Sequence, residues 1–364
     1  MSETQRRDEL EIAAGVPLAP RTTLGLGGPA QLHAVARDER DVADALAFAE
    51  GAGVDEVAVL GGGSNVVVAD EGVAGLVLEV RTRGVRVTDA GGAALVEAAA
   101  GEDWDALVAR TVEEGLAGLE CLSGIPGRVG GVPIQNVGAY GVEAADVLAS
   151  VRAFDRATRQ VVTLAPAACG FGYRTSAFRR APERFVVLAV TFTLRRDRLA
   201  APPRYAELSR ALGAPDARAP LGVVREAVLS LRRAKSMVLD DADPNRRSAG
   251  SFFTNPVVDA ATAAELLAAH PDLPHWPERP GGPAGRVKLA AGWLVERAGF
   301  PRGLREGAVG VSSRHALALV HHGGGSAAEL IALARRIRDG VRARFGVTLV
   351  PEPVFVGFPR GFAL

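Results

Sequence analysis

The stretch 123-SGIPGRVGGVPIQNVGAYGVE-143 limits the possible folds more than any other in the chain. Glycines throughout and two prolines, Pro126 and Pro133, exclude a long helix or strand. A loop of about twenty residues inside a compact protein usually has a function of its own. Its walls would be small and apolar, with Gln135, Asn136 and Tyr140 as the long uncharged polar side chains. Such a surface suits a long, flat ligand held through backbone groups and packing.

The flanking sequence is patterned. Residues 38–50 carry Val42, Ala45, Leu46 and Ala49 at helical spacing, and Gly51 and Gly53 stop the pattern. Apolar runs at 57–60, 66–69, 76–80 and 94–100 predict strands. Residues 103–114 predict a helix with Trp104, Leu107, Val108 and Thr111 on one face. Beyond the loop, strands are expected at 150–155, 160–164 and 185–194, and helices at 222–235, 260–269, 289–298 and 326–345. The stretches 195–204 and 213–220 read as connections, and 270–285 as a proline-rich surface loop. No regular βαβ rhythm emerges, so the fold class is α+β. At 364 residues, two or three domains are expected.

Composition narrows the function. The 42 basic and 42 acidic residues balance, leaving no net field to draw nucleic acid or an acidic membrane. Cys121 and Cys169 are the two cysteines, too few for a disulfide framework. The polar start shows no secretory signal, and no apolar run is long enough to span a bilayer. A cytoplasmic protein is expected, without nucleic-acid or membrane partners. The histidines and cysteines show no metal-ligand spacing, so no metal is expected.

GLGGPA at 25–30 fits a dinucleotide fingerprint formally, but Pro29 and the following QLHAVA read as extended rather than as an opening helix. Gly61, Gly62, Gly63, Ser64 and Asn65 join two apolar strands. Consecutive glycines can turn several N–H groups toward one anion, although a tight hairpin turn would use the same residues. Together with the 123–143 loop they suggest one large dinucleotide ligand.

Arg174, in 170-GFGYRTSAF-178, lies among aromatic and small residues, where a cation needs an anionic partner. That partner is either a ligand or a structural salt bridge. Glu352, in 349-LVPEPVFVGF-358, is read as part of an apolar strand, a setting that raises a carboxyl pKa. It also fits an exposed edge strand guarded by prolines. Ser251, in 249-AGSFFTNPVV-258, is a hydroxyl in an apolar run, explicable as an edge-strand serine bonded to its own backbone or as a chemical group.

LGGGSN, SGIPGRVGGVPIQNVGAYG, FGYRTSAF, AGSFFTNP, VKLAAGWLVERAG and VPEPVFVG occur in one order from about Thr22 to about Gly357. In this the chain resembles the UDP-N-acetylenolpyruvoylglucosamine reductase family, in its longer subtype. The resemblance implies a vanillyl-alcohol-oxidase-like FAD-binding fold of two α+β subdomains with a substrate-binding α+β domain. The expected divisions are 1–80 completed by 346–364, then 81–235, then 236–345. FAD would be held non-covalently by Gly61 to Asn65 and by Ser123, Gly124, Ile125, Pro126, Gly130, Gln135, Asn136, Gly138, Ala139 and Tyr140. NADPH would be the reductant and UDP-N-acetylglucosamine enolpyruvate the substrate, bound by Tyr173, Tyr205, Lys235 and Asn255. Ser251, Arg174 and Glu352 occupy the catalytic positions, and the protein is expected to be a monomer.

The implied chemistry explains the residue types. Hydride delivery to C3 of the enolpyruvyl group leaves negative charge on C2 and its carboxylate, which needs preorganised donors. Arg174 and a protonated Glu352 would provide them, and Ser251 would deliver a proton to C2. Thr254 stands where the family is often basic. Two rivals remain: an oxidase of a sugar or hydroxy acid on the same fold, and a non-catalytic UDP-sugar or flavin-binding regulator. Many such oxidases tether flavin through His or Cys, and no histidine lies between His33 and His270.

Overall fold

The protein is described from a computed structural model covering residues 10–213, 218–278 and 285–364. The polar start and the middles of the stretches 213–220 and 270–285 lie outside the described residues.

The first sheet runs in the order Ile12–Pro17, Pro29–Ala36, Val73–Val80, Val57–Leu60, antiparallel at its first pair and parallel thereafter. The helix Glu39–Gly51 buries Val42, Ala45 and Ala49, the residues its spacing selects. Asp38 starts this helix by accepting from the amides of Arg40 and Asp41. The second sheet is antiparallel: Gln160–Leu164, Leu148–Asp155, Phe185–Arg196, Ala93–Ala99, Val85–Ala90. The helix Trp104–Glu113 buries Trp104, Leu107, Val108 and Thr111. One continuous core joins both sheets, running from Ala34 and Leu76 to Val96, Trp104 and Phe192.

A third sheet, Ser248–Ser251, Ala318–His321, Val309–Val311, Arg305–Glu306, packs under the helix Ala327–Phe345. That helix opens on a reciprocal cap between Ser326 and Glu329 and ends at Gly346 in the left-handed conformation. The chain then returns to its beginning: Val354–Val356 pairs in parallel with Val66–Val68.

Three expectations are corrected. Pro29–Ala36 is a strand as read, but Ile12–Pro17 and Val85–Ala90 are strands that the pattern did not reveal; both are edge strands with mostly unburied side chains. Ala206–Leu212 is a helix between the two stretches read as connections, where no element was expected; it is short and buries only Leu208. Glu352 is not inside a continuous strand: Pro351 makes a single antiparallel bridge to Phe253, Pro351 and Pro353 lack amides to extend it, and the parallel pairing starts only at Val354. Among the described residues no helix is long and apolar enough to cross a membrane.

Candidate active site

The sheets and loops enclose a cavity of about 2050 Å³. This exceeds the roughly 300–1,000 Å³ of an ordinary ligand pocket and has room for a dinucleotide. Gly61, Gly62, Gly63, Ser64 and Asn65 line it, as do Ile125, Pro126, Gly130, Gln135, Gly138, Ala139 and Tyr140. So do Tyr173, Arg174, Tyr205, Lys235, Ser251, Asn255 and Glu352. Ser123, Gly124 and Asn136 do not line it. Ser123 is fully buried, donating to Glu120 O at 2.7 Å, and the Gly124 amide donates to Asp105 at 2.6 Å. Asn136 is likewise buried and bonds to Glu143, Gly172 O and the Ala145 amide. These three brace the loop from behind.

The 61–65 turn is shaped by close backbone approach. Gly63 has φ +62°, and a Cβ there would lie 2.0 Å from the carbonyl oxygen of Arg21. Thr23 N donates to Gly63 O at 3.0 Å, and Ser64 Oγ donates to Pro126 O at 2.9 Å, tying the two glycine-rich loops together. Among the described residues, no protein acceptor takes the amides of Gly61 to Asn65. Donors clustered this way form an anion-binding concavity.

Ser251 ends an edge strand, at the cavity. Gly250 before it has φ +73°, a backbone state that side-chain-bearing residues avoid. Phe252 and Phe253 after it are both buried and meet edge to face at 5.2 Å. The Ser251 hydroxyl has no hydrogen bond to a described protein group, so the self-bonded edge serine is not what forms. Phe252 O accepts from Glu352 N at 2.9 Å, and Thr254 N donates to Val350 O at 3.0 Å. This short ladder sets Glu352 beside the Ser251 strand.

Arg174 has a left-handed backbone, φ 52°. Its Nη2 donates to Gly138 O at 2.7 Å, and its Nε lies 3.2 Å from Glu352 Oε1. That approach is an ion pair by distance but is not aligned as a hydrogen bond, so the buried Nε–H is left without an acceptor. Glu352 is thus not a carboxyl among apolar neighbours, as its sequence suggested, but one facing a cation. Asn255 Oδ1 accepts from Ala291 N, and its backbone N–H donates to the Tyr173 hydroxyl at 3.4 Å. Burial raises the Tyr173 pKa. Lys235 pairs with Glu207 at 2.5 Å, and Tyr205 meets Tyr140 edge to face at 5.6 Å.

Among the other charged or titratable residues that line the cavity and that sequence reasoning did not single out are Arg232, Lys288 and His315. Arg232 Nη2 donates to Met237 O, while its Nε is buried without an acceptor; burial lowers its pKa. A signal existed, since position 232 continues the buried stripe of Val224 and Val228 in the helix Leu221–Ala234. Lys288 stands over the Tyr173 ring at 4.7 Å with its pKa lowered by burial, and it is the chain's other lysine. His315 accepts the Leu317 amide at Nδ1, and burial aided by Lys235 and Arg232 pushes its pKa down to about 4. Cys121 and Cys169 are buried away from this cavity, with burial driving the Cys121 thiol up to about 12.

Free turn amides, glycines packed tightly against neighbouring backbone, and the buried guanidinium donors of Arg174 and Arg232 without acceptors fit the diphosphate and flat ring of FAD. Residues 30–165 match the FAD binding domain family, and residues 243–356 match the C-terminal domain of UDP-N-acetylenolpyruvoylglucosamine reductase. Fold and site together define an FAD-dependent oxidoreductase. The UDP-N-acetylenolpyruvoylglucosamine reductase of Thermobifida fusca is 49% identical over 355 residues, 95% of this chain and 98% of that one. That of Saccharopolyspora erythraea is 50% identical, over 96% of this chain and 97% of the relative. The crystal structure of the reductase from Thermus caldophilus superposes with a TM-score of 0.63 at 26% identity, covering 96% of this chain and 99% of that one. The chain belongs to the UDP-N-acetylenolpyruvoylglucosamine reductase family, whose members are flavoproteins of peptidoglycan synthesis. Membership sets aside the non-catalytic regulator and the sugar oxidase.

Proposed function

We propose that the protein reduces UDP-N-acetylglucosamine enolpyruvate to UDP-N-acetylmuramate with NADPH as electron donor. FAD, when bound, supplies the hydride exchange between the nicotinamide and C3 of the enolpyruvyl group. The chain's own residues do the rest. The free amides of Gly61 to Asn65 hold the FAD diphosphate without covalent attachment, and the loop from Ile125 to Tyr140 bounds the cofactor. Tyr173, Tyr205, Lys235 and Asn255 bind the substrate, with Lys235 and Asn255 toward its UDP portion.

Arg174 offers its unused Nε–H and its charge to the substrate carboxylate, where negative charge accumulates as C3 is reduced. Glu352, paired with Arg174, serves beside it as the second charged group at the reacting end of the substrate. Ser251 delivers its hydroxyl proton to C2 on one face. A neutral hydroxyl suits a site that must admit an anion, and Phe252 and Phe253 keep the strand end rigid and dry. The observation that carries this reading is the Ser251 hydroxyl, free of protein partners and laddered beside a Glu352–Arg174 pair. The three-part division stated above is retained; the pairing of Val354–Val356 with Val66–Val68 supports completion of the first unit from the C-terminal segment. A cytoplasmic monomer is part of the same proposal.

Stopped-flow absorbance on the flavin-loaded protein tests it. Ser251→Ala keeps flavin reduction by NADPH but slows reoxidation by the enolpyruvyl substrate by about 10³-fold, within the range of a positioned proton donor. Reoxidation at full speed in this variant removes Ser251 from the chemistry.

A further inference from the structure

Prolines flank Glu352 on both sides, so its corner is poor in backbone donors. The one amide there, Glu352 N, is spent on Phe252 O. The carbonyls of Pro351 and Glu352 therefore depend on side chains from elsewhere. Arg179 supplies the main ones: its Nη2 lies 2.8 Å from Glu352 O and 3.3 Å from Pro351 O, and Asn65 Nδ2 adds a contact to Glu352 O at 3.3 Å. Arg179 is itself fixed. It belongs to the short helix Ala177–Arg180, whose cap, Ser176, accepts the Arg179 amide at 3.2 Å and donates to Ile134 O at 2.7 Å beneath the glycine-rich loop.

Arg179 does not line the cavity, and its Nη1 is buried with no acceptor. Burial lowers its pKa against the pull of Glu352, with Arg174 adding to the lowering. A buried cation with an idle donor is a costly way to satisfy two carbonyls that a neutral amide side chain could serve. What the guanidinium adds is charge. Glu352 has Arg174 Nε at 3.2 Å on one side and the Arg179 charge bonded to its own carbonyl on the other.

We propose that Arg179 is a positioning residue for the substrate half of the reaction, locking the Glu352 backbone and setting the field at its carboxyl without touching ligand. This rests on the assignment of Glu352 to that half-reaction. It extends the machinery by a residue outside the cavity, held to Glu352 across 173 positions of chain.

The experiment compares wild type, Arg179→Met, Arg179→Lys, Glu352→Gln and the double variant, each loaded with FAD. Flavin reduction by NADPH and reoxidation by UDP-N-acetylglucosamine enolpyruvate are followed separately. Arg179→Met is expected to slow reoxidation about 50-fold and leave reduction within about twofold, and Arg179→Lys to recover most of the loss. In the Glu352→Gln background, adding Arg179→Met should cost less than about threefold more, since coupled residues are non-additive. An equal loss in both backgrounds, or a loss of bound flavin that Lys does not restore, makes Arg179 purely structural and overturns the inference. Slow Glu352→Gln with fast Arg179→Met overturns it alone, whereas fast Glu352→Gln removes the assignment of Glu352 beneath it.

Discussion

The Gly61–Asn65 turn and the corner around Glu352 border one cavity but are built differently. The turn works through absence: Gly61 to Gly63 have no side chains to intrude, the amides from Gly61 to Asn65 meet no acceptor among the described residues, and Gly62 and Gly63 lie against backbone as close as a missing Cβ allows. The corner works through added groups, with Arg174, Arg179 and Asn65 converging on a segment that two prolines have deprived of amides. On the proposed reading the first design grips a cofactor, through backbone geometry that a Cβ at Gly62 or Gly63 would spoil. The second tunes one carboxyl through charges that can be exchanged singly. Damage to the first should cost cofactor, and damage to the second should cost a chemical step while the protein stays yellow.

Arg174→Ala is the largest test of that contrast. Reoxidation of reduced flavin by substrate should fall by about 10³-fold or more, with flavin content and NADPH reduction near wild type in single-turnover traces. Loss of flavin instead would merge the two regions into one. Gly63→Ala should do the opposite. A methyl group 2.0 Å from Arg21 O, on a left-handed backbone, should weaken FAD retention by about 10²-fold, measured as flavin bound per protein during dilution. Retained flavin with slowed reoxidation would break the contrast.

His315 sharpens it through pH. Its folded pKa of about 4 lies below the unfolded value near 6.5, so the unfolded chain binds more protons between those values. Stability therefore falls as pH drops from about 6.5 to 4 and is regained above 6.5, by roughly 3 kcal/mol at most. His315→Asn, which can still accept the Leu317 amide, should flatten the fall in thermal midpoint across that window. An unchanged slope would place the acid sensitivity elsewhere. The smallest effect is expected at Thr23, whose hydroxyl donates to Ser248 O at 2.6 Å while its amide donates to Gly63 O, bridging both regions. Thr23→Val should cost about 1–2 kcal/mol, seen in the thermal midpoint, and change both half-reactions by less than about threefold.

The contrast also governs what could be read from the chain. The glycine turn was legible, because backbone recognition leaves its mark as a local run of small residues. The helices were legible where one apolar stripe met one core, as at Val42 or Ile337. The edge strand Val85–Ala90, with Arg86, Thr88, Asp89 and Ala90 in solvent, offered only Val85 and Val87 as an apolar stripe. Around Glu352 the local pattern misled: an apolar strand seemed to isolate a carboxyl that in fact faces Arg174, 178 residues earlier in the chain. Arg179 was invisible for the same reason. Its contacts join distant segments, and one sequence holds no trace of which distant segments meet.

The return of Val354–Val356 to Val66–Val68 has a consequence for synthesis. Domains form as the chain emerges, N-terminal parts first. A strand laid down early must wait for its one strand partner among the described residues, made nearly three hundred residues later. Until that segment leaves the ribosome, Asn65 and Arg179 have no Glu352 to hold. The site is therefore completed only by residues beyond 350, and on the proposed role of Glu352 a nascent chain arrested before them is inert however well its earlier sheets have formed.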